Sequence, residues 1–586
     1  MHGNAQLQSD PLDWWLRYPE LLQSELAAFD KHGAATKIAH QKDGYLILEV
    51  DWPHSDPVRL RVGYSPFHPY GRAHVSAPEL ELARHQDPVF GTLCLLTQES
   101  GEWRPNERVA DLIAEQLPKV FEAALAHAED RREDARSLEE HAPDPLSNYF
   151  VHQAEEQSVV VFDAQQAVPA TSVGIAKFTL RARPFGPEAF EAVLRSVEPL
   201  NGKNWLAPPF TPWKGLEGEA LVMGRWVRLT PSAADDADSL FAAAETAIGK
   251  SVALQPRLRR KMDEVAAGAA ILTLIVFDEE VEYGRNGPGC LFVVSRRRPS
   301  GLENRLVRGL RYAPDVLARV TVAESLQSKS ALLVGAGAIG SFVAQDLVRA
   351  GLGRLEIIDG DRVEPGNGVR WALGREVWGL PKAHALQFHL ARNYPAAEVK
   401  GYFRRLGATV SDIGLAQEAN HHPVAWLREL VAETNVVVDA SASTECQQAL
   451  ALLCREMGKP YIMGHATEGA AGGVVARFDP DKAGCRVCLD EHWHDRSLPI
   501  PPVDPAGTMT PVGCNAPTFT GGAFDVQEVS LELVRSAIEV LAPGARKSGD
   551  WSLATLELVD GAHRILPRWT TTQIIPHSRC SGCSSR

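Results

Sequence analysis

Positive charge is in short supply: 60 Lys and Arg stand against 74 Asp and Glu, a net charge of −14. That balance disfavours a general nucleic-acid or anionic-membrane binder and leaves room only for local basic patches. Long apolar runs are missing too; none reaches the roughly 18 residues that a membrane helix needs. Residues 1–10 are polar and contain no signal-peptide core, so a cytoplasmic location is the default expectation. Cysteine is sparse, nine in 586 residues, and four of the nine fall in two close pairs. Such usage reads as metal-binding or catalytic thiols rather than a secreted disulfide framework. No internal repeat or long low-complexity tract is visible. The remaining composition, 45% hydrophobic and 23% charged, is ordinary for a folded protein. The length exceeds what one core can organise and points to roughly two to four domains.

Helical periodicity runs through Trp14–Phe29 and Glu107–Ala126, with strand-like runs at Tyr45–Val50 and Val58–Val62 between them. A Pro-rich extended stretch, Tyr64–Pro78, precedes Cys94. The charged run Glu129–His141 reads as a solvated helix end or hinge. From about 145 to about 300, Val159–Phe162 and Ile271–Phe277 look like buried strands; no catalytic constellation is present, and a spacer or docking domain is the plain reading. From Leu306 onward the pattern becomes strand, turn, helix: a buried strand at Ala331–Val334, a helix over Ser341–Ala350 ended by Gly351, and further strands at Leu355–Ile358 and Val436–Val438. This alternation predicts a doubly wound α/β sheet.

Gly335, Gly337 and Gly340 form GxGxxG between the first of those strands and its helix. Glycines there allow a tight turn and let backbone N–H groups approach a phosphate at the helix N-terminus. Alone the motif most often means NAD or FAD. Asp359 closes the second strand, where an acidic residue can hold ribose hydroxyls. Downstream come Asp361, Val363, Asn367 and Arg370, then Gly379-Leu380-Pro381-Lys382. These spacings resemble the D-x-D-x-V-x-x-x-N-x-x-R and G-x-P-K patterns of the ubiquitin-activating (E1) family and its ThiF/MoeB-like bacterial relatives, over about residues 305–586. The resemblance implies ATP as cofactor, with Asp359 on the ribose, Asn367, Arg370 and Lys382 on the phosphates, and Asp361 beside them. A carboxylate attacking the α-phosphate builds negative charge that a fixed Arg and Lys stabilise. One departure concerns Mg²⁺. The family's T-D-N-like segment is replaced by Ala440-Ser441-Ala442-Ser443, leaving Asp439 with two open roles, metal ligand or structural cap.

Cys485-x-x-Cys488 and Cys580-x-x-Cys583 supply four thiolates, the set for a tetrahedral structural Zn²⁺. His492 and His494 read as solvent-facing loop histidines, and Cys290, Cys446 and Cys454 as core cysteines. Cys514 lies in a Gly/Pro-flanked segment just before a helix over Asp525–Leu541. In the E1-like relatives a cysteine placed there takes the activated acyl group as a thioester. The N-terminal segment, about residues 10–140, carries Gly91, Cys94, Leu95, Trp103 and Pro105 after its Pro-rich stretch, and resembles a ubiquitin-conjugating (E2) core with Cys94 as a second acyl-carrying thiol. It departs at H-P-N, here His85-Gln86-Asp87, so the oxyanion role of the family's Asn is unfilled or falls to Gln86, His85 or another group.

The combined reading is a multidomain α/β chain: an α+β E2-like domain at 1–143, an α+β linker domain at 144–304, and a Rossmann-like E1/ThiF adenylation domain at 305–586. It resembles the bacterial E1–E2 fusion proteins of anti-phage (CBASS) operons. That resemblance implies adenylation of a protein C-terminus, that of a cGAS/DncV-like nucleotidyltransferase (CD-NTase), thioesters on Cys514 and then Cys94, and conjugation to an amine acceptor. It also implies a homodimer, while the charge balance and the lack of long apolar runs lead to the expectation of no nucleic-acid or membrane partner. The alternatives are activation of a ubiquitin-like or sulfur-carrier protein, an NAD-dependent oxidoreductase, or a non-catalytic scaffold.

Overall fold

The computed structural model describes residues 12–586, apart from 97–102, 132–145, 151–153, 200–220, 250–269, 313–317, 408–421, 511–517, 545–548, 581–586 and the positions 83, 88, 130, 164–165, 233, 283–284, 483 and 562. It divides into two compact units, residues 1–210 with 220–313, and residues 211–219 with 314–586. The boundary expected at 304/305 therefore moves to about 313, because the strand ending at Tyr312 belongs to the first unit.

The first unit begins with α1 (Trp14–Arg17) and α2 (Pro19–Lys31). An antiparallel sheet follows, β1 (Ala35–Lys42), β2 (Tyr45–Trp52), β3 (Val58–Tyr64) and β4 (His74–Ser76), in that order. Period-two alternation buries Leu46, Leu48 and Val50 of β2 and Leu60 and Val62 of β3, while Glu49, Arg59 and Arg61 face out. Helix α3 (Val109–Ala128) buries Val109, Ile113, Leu117 and Val120, one apolar stripe at helical spacing, in the same core. Glu25 is fully buried there and accepts hydrogen bonds from Tyr64 Oη (3.0 Å) and the Val109 amide (3.2 Å), joining α2, β3 and α3.

The middle segment, expected as an α+β linker domain, is built around a closed barrel. After α4 (Leu146–Tyr149) come β5 (Ala154–Asp163), β6 (Val173–Ala182), β7 (Phe190–Pro199), β8 (Leu221–Arg228), α5 (Ala237–Gly249), β9 (Ala270–Glu282), β10 (Arg285–Arg298) and β11 (Gly301–Tyr312). The strands close in the order β10-β11-β5-β7-β6-β8-β9. Phe162, Phe178, Leu194, Trp226 and Phe292 fill the interior. Gly174 makes room for Trp226: a Cβ there would meet the indole nitrogen at 2.3 Å.

The second unit contains α6 (Ala323–Leu326), β12 (Ser330–Val334), α7 (Gly340–Arg349), β13 (Arg354–Asp359), α8 (Lys382–Asn393), β14 (Glu398–Phe403), α9 (Pro423–Glu433), β15 (Val436–Asp439), α10 (Thr444–Glu456), β16 (Tyr461–Ala466), β17 (Gly472–Phe478), α11 (Arg486–His494), β18 (Thr508–Met509), β19 (Thr518–Phe519), α12 (Ala523–Leu541), β20 (Leu553–Asp560) and β21 (His563–Thr572). Eight strands form one sheet, β14-β13-β12-β15-β16-β17-β20-β21. The first five are parallel and the last three join antiparallel. Every residue of β12 is buried, as a central parallel strand covered on both faces requires. Among the described residues no helix is long and apolar enough to cross a membrane.

Candidate nucleotide and thiol sites

The glycine turn sits at the carboxyl ends of β12 and β13, where ligands bind in open α/β sheets. Its three glycines serve different ends. Gly335 has φ +87°, and a Cβ there would meet the Ser441 amide nitrogen at 2.5 Å. At Gly340 a Cβ would meet the Gly335 carbonyl oxygen at 1.8 Å, so the turn closes only without one. Gly337 has open space on its Cβ side.

Asp359 is held by the turn itself. Its Oδ2 accepts from the Ala336 amide and its Oδ1 from the Asp361 amide, each at 2.7 Å. Burial pushes its carboxyl above the usual range, against the pull of Lys382. Lys382 opens α8 and places Nζ 3.2 Å from Asp361 Oδ2; Arg405 approaches the other oxygen at 3.4 Å. Asn367 is turned inward, its Oδ1 accepting from the Glu364 amide (2.9 Å) to close a 3₁₀ turn over Pro365–Val369. Arg370 donates to the Phe519 carbonyl (2.7 Å) and Thr518 Oγ1 (2.5 Å), with its guanidinium 4.3 Å from the Phe519 ring centroid. The next residue, Trp371, donates its indole N–H to the Ala336 carbonyl (2.6 Å). Sequence reasoning missed Trp371 and Thr518; the adjacency of Trp371 to Arg370 was the available signal.

Of the two roles left open for Asp439, the structure favours the cap. Asp439 is fully buried. One oxygen accepts from the Ser441 amide and the other from Tyr461 Oη, both at 2.8 Å. Burial pushes its carboxyl up, against the pull of its hydrogen bonds with Ser441 and Tyr461.

The thiols separate into three groups. Cys485, Cys488 and Cys580 converge, with Cys485 Sγ 3.7 Å from Cys488 Sγ and 3.5 Å from Cys580 Sγ. Zn–S bonds of about 2.3 Å in a tetrahedron put sulfurs roughly 3.8 Å apart, so the three fit a zinc ion. Cys583, the expected fourth ligand, lies outside the described residues, as does Cys514. The expectation of solvent-facing loop histidines needs correcting. Both lie on α11, and His492 is buried with its ring nitrogens against Ser497 Oγ (2.6 Å) and the Ile575 carbonyl (3.0 Å); His494 is exposed. The His492 ring meets that of His577, whose amide donates to Cys488 Sγ at 3.4 Å. Cys290, Cys446 and Cys454 are buried, and burial pushes each thiol up to about 12, the condition of inert core cysteines.

Cys94 is half-buried on a loop fastened at several points. Its amide donates to the His85 carbonyl (2.8 Å), and the Leu93 amide to that of Val75 (2.8 Å). Gln86 locks the same loop: its Nε2 donates to the Ala77 and Leu80 carbonyls, each 2.9 Å, and its Oε1 accepts from the Leu82 amide at 2.7 Å. Both amide protons of Gln86 are engaged, so it is not a free oxyanion donor. Trp103 ties the Pro-rich segment down through Nε1 to the Pro69 carbonyl (2.6 Å).

The sequence model of the ThiF family matches residues 312–519. Protein y4oA of Sinorhizobium fredii, described as uncharacterized, is 50% identical over 587 residues, covering 98% of each chain. A second protein of that organism, y4qC, is 29% identical over 92% of each chain. The ATP-dependent ubiquitin transferase-like protein Cap2 of Enterobacter hormaechei is 38% identical over 99 residues, 17% of this chain and 16% of Cap2.

Proposed function

Because this chain belongs to the family of Sinorhizobium fredii y4oA and carries an E1-like adenylation domain of the ThiF family, we propose that it activates the C-terminal carboxylate of a ubiquitin-like or carrier protein with ATP. The observation that carries the reading is the cluster at the sheet's carboxyl edge: the glycine turn, Asp359 bonded into it, and Lys382 beside Asp361. Asp359 faces the ribose, and Lys382 and Arg370 supply positive charge to the phosphates. The carboxylate oxygen attacks the α-phosphorus, pyrophosphate leaves, and the acyl-adenylate carries the energy forward. Preplaced cations stabilise the charge that develops in that step. The ThiF match and the Lys382–Asp361 pair favour ATP over NAD.

The finer reading is a relay. The Cys514 thiolate attacks the acyl carbon and AMP leaves. The Cys94 thiolate then takes the acyl group and releases Cys514, and an amine acceptor displaces Cys94 to give an amide. One chain holding both thiols raises their effective concentration to the order of millimolar. The similarity to Cap2 supports a CD-NTase in an anti-phage setting as the activated protein, with a ubiquitin-like or sulfur carrier as the second reading. Cys485, Cys488, Cys580 and Cys583 would hold a structural zinc ion, which would tie α11 to the chain beyond β21. The domain assignment follows: E2-like to residue 143, then barrel, then adenylation domain, with homodimerisation through the last.

The test is intact mass after incubation with ATP, Mg²⁺ and the product of the adjacent gene, without reductant. A partner-sized adduct that thiol reductant removes, and that Cys514→Ala abolishes, supports the relay. ATP–pyrophosphate exchange without any adduct reduces the function to carrier adenylation. No adduct and no exchange rejects both.

A further inference from the structure

Among the described residues, a partly buried ion pair joins the barrel to the Cys94 loop. Arg84 is 5% exposed, and its Nη2 lies 2.7 Å from the Glu280 carboxylate on β9. Its Nε donates to His127 Nδ1 (3.4 Å) in the last turn of α3. The next residue, His85, has φ +59°, and its carbonyl takes the Cys94 amide. One residue further, Gln86 bridges to Leu93. Displacing Arg84 therefore displaces the backbone that fixes Cys94. On β9 the period-two alternation sends adjacent carboxylates opposite ways: Glu279 meets Ser147 and Arg311, and Glu280 meets Arg84. The Arg84 guanidinium is buried while the Glu280 side chain is 23% exposed, and separating them would leave the buried cation without this carboxylate.

We propose that Glu280 of the barrel, acting through Arg84, positions the loop that presents Cys94, so that the barrel is a platform for the thiol and not a spacer. Arg84 and Glu280 are positioning residues; neither takes part in bond making. The proposal rests on the reading of Cys94 as an acyl-carrying thiol, and its test separates the two.

The probe is the Gly-Gly thioester of mercaptoethanesulfonate, applied to the full-length chain. The Cys94 thiolate attacks its acyl carbon, a new sulfur–carbon bond forms, and mercaptoethanesulfonate leaves as the thiolate. Peptide mass mapping follows Cys94 acylation, iodoacetamide alkylation reports the thiol itself, and amide hydrogen exchange reports the loop. In Glu280→Gln, exchange over residues 85–95 rises about tenfold while β2 and β3 keep their protection, as local opening requires. Acylation of Cys94 falls several-fold, alkylation is unchanged, and the exchanged pair Arg84→Glu with Glu280→Arg restores acylation and exchange. Unchanged exchange and acylation in Glu280→Gln, alkylation falling in step with acylation, or a charge swap that folds without restoring either would overturn the proposal. Should Glu280→Gln not fold, the swap alone decides. Wild-type Cys94 that takes no acyl group while the loop still loosens in Glu280→Gln sinks the thioester reading and leaves the tether standing.

Discussion

Gly337→Ala separates what the glycine turn owes to folding from what it owes to a ligand. A Cβ at Gly337 meets no heavy atom within 4 Å, and its φ lies outside the left-handed region. The fold therefore gives no reason for glycine here. The substitution should move stability by no more than about 0.5 kcal/mol, or roughly 2 °C in melting temperature. A phosphate lying against the turn would meet that methyl group directly. Forcing a methyl into a packed contact costs about 1–3 kcal/mol, which is about 5- to 150-fold in affinity. Gly340→Ala is the contrast: its Cβ would sit 1.8 Å from the Gly335 carbonyl oxygen, so the turn must open. It should lose about 3 kcal/mol or more of stability as well as binding. Differential scanning fluorimetry and titration with a fluorescent ATP analogue read the two effects separately. A Gly337→Ala chain that melts normally and binds ATP as the wild type does would refute the placement of the phosphates on this turn.

Three further outcomes follow from the structure. Burial, with Arg486 nearby, lowers His465 to about 4; the unfolded chain then binds the extra proton first, so this contribution is present above about pH 6.5 and is lost as pH falls toward 4, up to about 3 kcal/mol. Urea unfolding of the wild type and of His465→Met should diverge in pH dependence across that window, and parallel curves would contradict it. One zinc per chain should be released by mercurial titration, and Cys485→Ser should lose the metal and about 3 kcal/mol or more from the second unit's transition, read as a lower melting temperature. Gln86→Ala removes one acceptor and two donors from a closed loop and should cost about 2–3 kcal/mol, with loosened exchange around Cys94; a variant with native stability and a selective loss of aminolysis would instead make Gln86 an oxyanion donor.

The glycine turn was legible because its local geometry is written in fixed spacings. Glycines that a tight turn requires, an acidic residue closing β13 and a lysine opening α8 each have a local reason. The barrel was not legible for the opposite reason. Alternation marks its strands, but closure depends on parallel pairings such as β5 with β11, between segments far apart in sequence. The same separation hid the Arg84–Glu280 pair. Asp439 kept two readings because sequence shows a carboxylate at a strand end and not the Tyr461 hydroxyl that meets it from the neighbouring strand. His492 misled because the segment after Cys485 reads as a loop in sequence, whereas Cys485 caps a helix that turns His492 inward.

The 3₁₀ turn over Pro365–Val369 shows what spacing alone leaves out. Asn367, Arg370 and Lys382 look like three equivalent phosphate contacts when read as a motif. In the fold Asn367 closes the turn, Lys382 pairs with Asp361, and Arg370 grips β19. Trp371, the neighbour of Arg370, holds the glycine turn through the Ala336 carbonyl. Two adjacent residues thus join the glycine turn to the strand that follows the Cys514 segment. Substituting Thr518 with Val leaves the glycine turn untouched but removes one of the two hydrogen bonds on Arg370. Its effect on ATP affinity therefore measures how far the two ends of that connection depend on each other, something neither motif discloses by itself.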